Sequence, residues 1–197
     1  DADRDGRLDL THLQTVTIDG EDAKDLDDAI SLTKEGDIYH LGVHIADVSN
    51  YVQGGSALDR EALKRGTSVY LADRVVPMLP FDLSNGICSL NPNVDRLTIT
   101  CAMQVDEKGN LLTYNVFPSV IHSDKRCTYK KVNACLDGNE TILEEYSEVK
   151  DLLFTLESLA KLLKKQSHNR GCIDFNTKEE KIRMDKNGYP IDVQVLE

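Results

Sequence analysis

Asp19-Gly20-Glu21-Asp22-Ala23-Lys24-Asp25-Leu26-Asp27-Asp28 is the stretch that most restricts what this chain can fold into. Six of its ten residues are carboxylates, and strand-forming runs, Val16-Thr17-Ile18 and Ala29-Ile30-Ser31-Leu32, flank it. A solvated acidic tail has no reason to be bracketed by such runs. Folding brings the carboxylates closer together, so something must offset their repulsion. A hard divalent cation such as Mg²⁺ prefers oxygen ligands and is the usual partner. Two readings stand on the residues alone: a metal site and an exposed acidic loop.

The chain has 197 residues, 40% of them hydrophobic, enough for one domain with a core or for part of a larger one. No apolar run is long enough to span a membrane. The polar start Asp1-Ala2-Asp3-Arg4-Asp5-Gly6 lacks the apolar segment of a secretion signal. Taken alone, the net charge of -11 argues against a nonspecific nucleic-acid binder. It suits carboxylates that await an ion, or a piece whose basic neighbours lie elsewhere. Cys88, Cys101, Cys127, Cys135 and Cys172 are odd in number and never spaced Cys-x-x-Cys. They read as reduced thiols of a cytoplasmic protein, with no zinc spacing among cysteines or histidines.

Residues 1–10 read as a polar linker. Asp1-x-Asp3-x-Asp5-Gly6 opens a calcium-loop pattern that then fails, since its twelfth position is His12 where a bidentate Glu is needed. Strands are expected over 13–18, Asp28–Thr33 and Ile38–Val48, with a hairpin turn at Lys34-Glu35-Gly36-Asp37. The third strand is apolar on both faces in places and is expected to be central. On it, His44 and Asp47 form either a satisfied polar pair or support for the acidic site.

Ser56–Ser68 reads as a helix capped by Ser56 and ended by Gly66. Two prolines in Val75-Val76-Pro77-Met78-Leu79-Pro80 demand a shaped loop, followed by a short helical turn over Phe81–Ile87. Arg96–Val105 and Leu111–Ile121 read as paired strands around Gly109. Tyr129–Leu136 reads as a short helix, and Glu144–His168 as a long one with apolar residues at three- and four-residue steps. Lys161, Lys164 and Lys165 on it give a solvated face or a basic, RNA-facing one. Strands are expected again over Cys172–Phe175, Lys181–Met184 and Ile191–Leu196. The fold class is therefore α+β, a largely antiparallel twisted sheet packed by helices.

Asp25 and Asp27 share a face in an extended chain and Asp28 takes the other. If the stretch loops out of a sheet, Asp19 at its start and Asp28 at its end can meet at the mouth. Carboxylates there suit Mg²⁺ and phosphodiester hydrolysis.

Thr17-Ile18-Asp19-Gly20-Glu21-Asp22-Ala23-Lys24-Asp25-Leu26-Asp27-Asp28-Ala29 resembles the signature of the RNB catalytic domain of the ribonuclease II / ribonuclease R family. Three further stretches agree in order: His44-Ile45-Ala46-Asp47-Val48-Ser49; Pro77-Met78-Leu79-Pro80 with Leu83-Ser84; and Cys88-Ser89-Leu90-Asn91-Pro92 with Val94-Asp95-Arg96-Leu97. The details are nearer the bacterial ribonuclease R branch, and the resemblance runs from about Leu10 to the end. It implies a hydrolytic 3′→5′ exoribonuclease acting on single-stranded RNA with Mg²⁺ and releasing nucleoside 5′-monophosphates. By motif position, Asp19 and Asp28 would be metal ligands, Asp27 the critical carboxylate beside the 3′-terminal nucleotide, and Asp25 the member that completes the cluster. Tyr70 would be the aromatic that stacks on the terminal base. Glu21 and Asp22 would be bystanders.

The resemblance also implies parts without a counterpart in these residues: a later arginine-rich motif, a late active-site glutamate, and flanking cold-shock and S1 domains. Residues 11–197 are thus expected to be the N-terminal portion of the catalytic domain, inactive alone. The chief rival is a non-catalytic RNA- or metal-binding module on the same fold, which loss of one of the four aspartates would favour. All four are present.

Overall fold

The computed structural model describes residues 2–173, 175 and 179–196. After a 3₁₀ turn at Ala2–Arg4 come strands β1 (Leu8–Asp9), β2 (Thr15–Asp19), β3 (Asp28–Glu35) and β4 (Ile38–Ala46). Helix α1 (Ala57–Arg65), the short strands β5 (Val69–Tyr70) and β6 (Val75–Val76) and a π-helical turn at Asp82–Ile87 lead into β7 (Asp95–Asp106) and β8 (Leu111–His122). Strand β9 (Lys125–Thr128), helices α2 (Tyr129–Leu136), α3 (Glu140–Glu145) and α4 (Lys150–Asn169), then β10 (Glu179–Met184) and β11 (Pro190–Leu196) complete the chain. Nine strands join into two arrangements that matter here: a seven-stranded sheet ordered β1-β8-β7-β4-β3-β2-β9, and a separate β10–β11 ribbon.

The sheet is antiparallel except at its margins, where β1 runs parallel to β8 and β2 parallel to β9. Strand β4 lies fourth of seven, in the central place its two-faced apolarity predicts. Leu32 and Ala29 stand three residues apart on β3 and so point to opposite faces. Leu32 joins Val16, Tyr39, Val105, Cys127, Leu152, Leu153 and Leu159 in a core covered by the helices. Ala29 joins Leu26, Ala46, Cys88, Leu90 and Ile121 in a second, smaller core. The α+β architecture expected from the sequence is the one found. Among the described residues no helix is long and apolar enough to cross a membrane.

Local chemistry explains most boundaries. Ser56 Oγ accepts from the Asp59 amide to start α1, and Gly66 ends it at φ 75°, a left-handed value that suits glycine. Thr128 caps α2 in the same way, accepting from the Lys131 amide. The long helix expected over Glu144–His168 is instead two helices. Asn139 caps α3, and the chain then turns between Tyr146 and Val149, whose side chains are both buried in the helix-covered core. Tyr146 and Val149 keep the three-residue spacing of one helical face, so the apolar periodicity runs on across a break that the backbone makes between them.

Several strands have no local signal. Strands β5 and β6 are two residues each, and β1 and β9 are edge strands. The polar lead-in is tied down: Arg7 pairs with Asp47 at 2.6 Å with both side chains nearly buried, and Leu8–Asp9 lie along β8. Asp1 of the calcium-like pattern lies outside the described residues, and Asp3 offers its carbonyl to Arg7 Nε at 2.8 Å. Of the strand expected over Cys172–Phe175, Cys172, Ile173 and Phe175 are in no regular element, and Asp174 lies outside the described residues. All five cysteines are free thiols. On α4, Lys161 pairs with Glu157 one turn earlier at 2.6 Å.

Candidate active site

Strands β2 and β3 pair at only two positions, Thr15 with Ser31 and Val16 with Ile30. Beyond Val16, β2 follows β9 as far as Asp19 opposite Thr128, while β3 begins at Asp28 opposite Ile45 of β4. The two strands therefore part, and residues 20–27 loop out of the gap. Asp19 stands on one lip and Asp28 on the other, as the looped-excursion reading expects.

The loop is pinned at its far end. Leu26 is buried in the smaller core. Its amide donates to Ser89 Oγ at 3.0 Å, its carbonyl accepts from the Leu90 amide at 2.8 Å, and Ser89 Oγ donates to the Lys24 carbonyl at 3.1 Å. The Asp27 carbonyl accepts from the Ala46 amide at 2.9 Å. Asp25 and Asp27 thus flank an inward anchor and turn towards the surface. On the near side, Arg126 Nη2 donates to the carbonyls of Gly20, Glu21 and Ala23 at 3.4, 3.0 and 2.7 Å.

The four aspartates feel one another. Burial raises the Asp19 carboxyl above its ordinary pKa and the charges of Asp28, Asp27 and Asp25 add to that, while Arg126 opposes it. Asp27 is exposed overall, yet partial desolvation, then the charges of Asp25 and Asp28, raise it too. Asp19 Oδ2 is buried with no hydrogen-bond partner among the described residues. A buried carboxylate oxygen without a donor, among like charges, is what a cation would satisfy. Among the described residues no three carboxylate, imidazole or thiol groups already converge as a metal cage. Mg²⁺ does not require one: it keeps several waters and takes one or two carboxylates plus substrate oxygens.

Tyr70, at the end of β5, reaches the cluster. Its hydroxyl donates to Asp25 Oδ2 across a long 3.3 Å, and the Asp25 charge raises the phenol's pKa. At 67% exposure, its ring remains open to a planar partner. Glu21 is exposed, and Asp22 carries an exposed 2.7 Å ion pair with Lys181 of the β10–β11 ribbon.

His44 and Asp47 are each satisfied, but not by each other. His44 points into the sheet and bonds Ser31 Oγ at 2.9 Å and Thr100 Oγ1 at 2.7 Å. Asp47, just past the strand end, accepts from Arg7 and from Ser49 Oγ, both at 2.6 Å. Adjacent strands intervene because His44 lies inside a seven-stranded sheet whose neighbours carry hydroxyls on the same face. Sequence reasoning missed Ser89 and Arg126. Ser89 belongs to the Cys88-Ser89-Leu90-Asn91-Pro92 stretch but carries no charge or ligand chemistry to mark it. Arg126 had no local signal, because its contact depends on a parallel pairing more than a hundred residues apart.

Residues 7–197 match the RNB domain family. The chain is 53% identical over 190 residues to ribonuclease R of Thermotoga maritima, covering 95% of this chain and 27% of that one. The structure superposes with a TM-score of 0.87 and 37% identity on Mycoplasma genitalium RNase R in complex with double-stranded RNA, covering 96% of this chain and 34% of that one. It superposes equally well, over 30% of that chain, on the same enzyme in complex with ribose-methylated single-stranded RNA. The chain spans roughly a quarter of the length of the curated relatives it matches.

Proposed function

The chain belongs to the RNB domain family, and from that premise we propose that it carries the acidic half of the active site of a Mg²⁺-dependent, hydrolytic 3′→5′ exoribonuclease. The observation that carries the proposal is the grouping of Asp19, Asp25, Asp27 and Asp28 around one mouth, with an exposed aromatic, Tyr70, bonded to one of them. Its substrate is single-stranded RNA, its product nucleoside 5′-monophosphates, and its compartment the cytoplasm. The relatives' RNA complexes support an RNA substrate.

Asp19 and Asp28, on opposite lips, offer hard oxygens to the cation, and the orphaned Asp19 Oδ2 fits that use. Mg²⁺ held there would supply a Lewis acid for the scissile phosphoryl group and would lower the pKa of bound water. Asp27 sits between the other carboxylates and orients the attacking water beside the 3′-terminal nucleotide. Asp25 holds the Tyr70 hydroxyl, so the ring stays in place to stack on the terminal base. Stacking contributes ~1–3 kcal/mol per base and tolerates any sequence. An enzyme that removes every nucleotide in turn needs that tolerance.

Residues 11–197 act as the N-terminal portion of the catalytic domain, with positively charged transition-state groups and basic RNA-binding modules of the cold-shock and S1 type supplied by the full-length protein. The net charge of -11 fits that division. Electrostatic stabilisation of the phosphoryl group is usually the largest catalytic contribution. The isolated 197-residue chain is therefore expected to be inactive or nearly so. The test follows a 5′-labelled single-stranded RNA with the isolated chain and with the full-length protein, each as wild type and as Asp27→Asn. Degradation from the 3′ end by full-length wild type, lost in Asp27→Asn, is expected. Equal digestion by the two full-length proteins would overturn the carboxylate assignment, and processive digestion by the isolated chain would overturn its inactivity.

A further inference from the structure

The acidic loop has one cationic organiser that lies outside it. Among the described residues, the backbone of 20–23 makes a single turn, Ala23 amide to Gly20 carbonyl at 3.2 Å. Ala23 packs against the smaller core, and Arg126 adds the side-chain hold, its Nη2 donating to the carbonyls of Gly20, Glu21 and Ala23. The other cation on the loop, Lys181 on Asp22, is an exposed pair, and such pairs restrain little.

The placement of Arg126 is fixed by the sheet. In the parallel β2–β9 pairing Thr17 stands opposite Arg126 and Asp19 opposite Thr128. Thr17, Asp19 and Arg126 therefore share a face. Their atoms Thr17 Oγ1, Asp19 Oδ2 and Arg126 Nε are all buried without a hydrogen-bond partner among the described residues. One guanidinium thus reaches from beside the Asp19 carboxylate to three carbonyls of the loop that leads to Asp25. A planar fork with five donors can do both; a lysine ammonium presents a single point.

We propose that Arg126 is a positioning residue that shapes the 20–23 turn through its three carbonyls and so sets the spacing of Asp19 against Asp25, Asp27 and Asp28 for divalent-cation binding. The cation part rests on the proposed function; the loop-shaping part does not. The sign of the effect separates positioning from charge. A cation beside carboxylates repels a second cation, so deleting Arg126 for charge alone would tighten metal binding. Loss of a positioning group weakens it, typically tenfold or more for groups that orient ligands.

The 197-residue chain as wild type, Arg126→Gln and Arg126→Lys tests this, with Mn²⁺ as the spectroscopic probe of a Mg²⁺ site and amide hydrogen exchange as the second readout. Expected are at least ~10-fold weaker Mn²⁺ binding in both variants, with faster exchange at Ala23 and Leu26 and unchanged exchange in β3 and β4. Arg126→Gln binding Mn²⁺ as tightly as wild type, or more tightly, would overturn the positioning role. If wild type takes up no Mn²⁺, the metal reading fails, and exchange alone then judges Arg126: unchanged rates at Ala23 and Leu26 overturn it. Faster exchange spread through the whole sheet would mark Arg126 as merely structural. Arg126→Lys keeps the test open should Arg126→Gln fail to fold.

Discussion

The Tyr70 hydroxyl donates to Asp25 Oδ2 at 3.3 Å, joining the β5–β6 hairpin to the acidic loop. The bond is long, so its own contribution is small, on the order of 0.5 kcal/mol. The ring is the larger asset. Tyr70→Phe should bind a short single-stranded RNA within roughly twofold of wild type, whereas Tyr70→Ala should lose ~1–3 kcal/mol of binding. Fluorescence titration of the full-length protein with a labelled oligonucleotide reads both. Equal losses in the two variants would place the importance in the hydroxyl and not in stacking.

The carboxylates should oppose folding. Asp27 has a raised pKa in the folded chain, by desolvation first and then by Asp25 and Asp28. A raised acid binds its proton more tightly when folded, so stability falls as pH rises from the ordinary carboxylate value through the folded one, and the deficit persists at neutral pH. Asp27→Asn removes that charge. It should raise the unfolding free energy from urea titration at pH 7 by roughly 0.5 kcal/mol, because solvent screens an exposed group, while abolishing nuclease activity in the full-length protein. A gain that persists unchanged at pH 3, where wild-type Asp27 is protonated, would assign it to something other than charge.

His44 should give the opposite pH dependence. Burial lowers its pKa to about 4 while it bonds Ser31 and Thr100. Between about 4 and the ordinary 6.5 the unfolded chain binds the proton and the folded chain does not. Stability contributed by neutral His44 is therefore present above pH 6.5 and is lost as pH falls towards 4, at up to about 1.4 kcal/mol per pH unit. His44→Gln should flatten the urea-midpoint profile in that window. Gly42 guards the same pocket: a Cβ there would run into Ser31 Oγ and come within 2.8 Å of His44 Nε2. Gly42→Ala should destabilise by ~1–3 kcal/mol through overpacking.

What the sequence showed and hid divides by range. The acidic stretch, its two flanking strands, the β3–β4 hairpin and the Ser56 and Gly66 caps are written within a few residues of where they act, and all were legible. The Tyr70–Asp25 contact joins two residues that the family resemblance assigns to one site. The break between α3 and α4 was not legible, because Tyr146 and Val149 keep helical spacing while tertiary burial turns the chain. The separation of His44 from Asp47 was hidden because their partners, Thr100 and Arg7, arrive from distant segments. The hold of Arg126 on Gly20, Glu21 and Ala23 is the extreme case, a side chain-to-backbone contact across a parallel pairing that leaves no periodicity to read.

Ser89 should couple stability to the site. Its residue is fully buried, and its hydroxyl accepts from the Leu26 amide and donates to the Lys24 carbonyl, so it brackets Asp25 and holds the residue before Asp27. Ser89→Ala leaves the Leu26 amide buried without an acceptor, which costs about 1–3 kcal/mol. The substitution removes only one oxygen atom, so packing itself changes little. The loss should therefore be polar and local. Urea unfolding measures the destabilisation, and Mn²⁺ titration of the folded protein measures the site, where the loosened Lys24–Leu26 segment should weaken binding. Ser89→Thr, which keeps a hydroxyl at the cost of one extra methyl, should recover metal affinity better than it recovers stability. If Ser89→Ala lowers stability by that amount yet leaves Mn²⁺ affinity and nuclease activity untouched, the Leu26 anchor holds the core alone and does not set the position of its flanking aspartates.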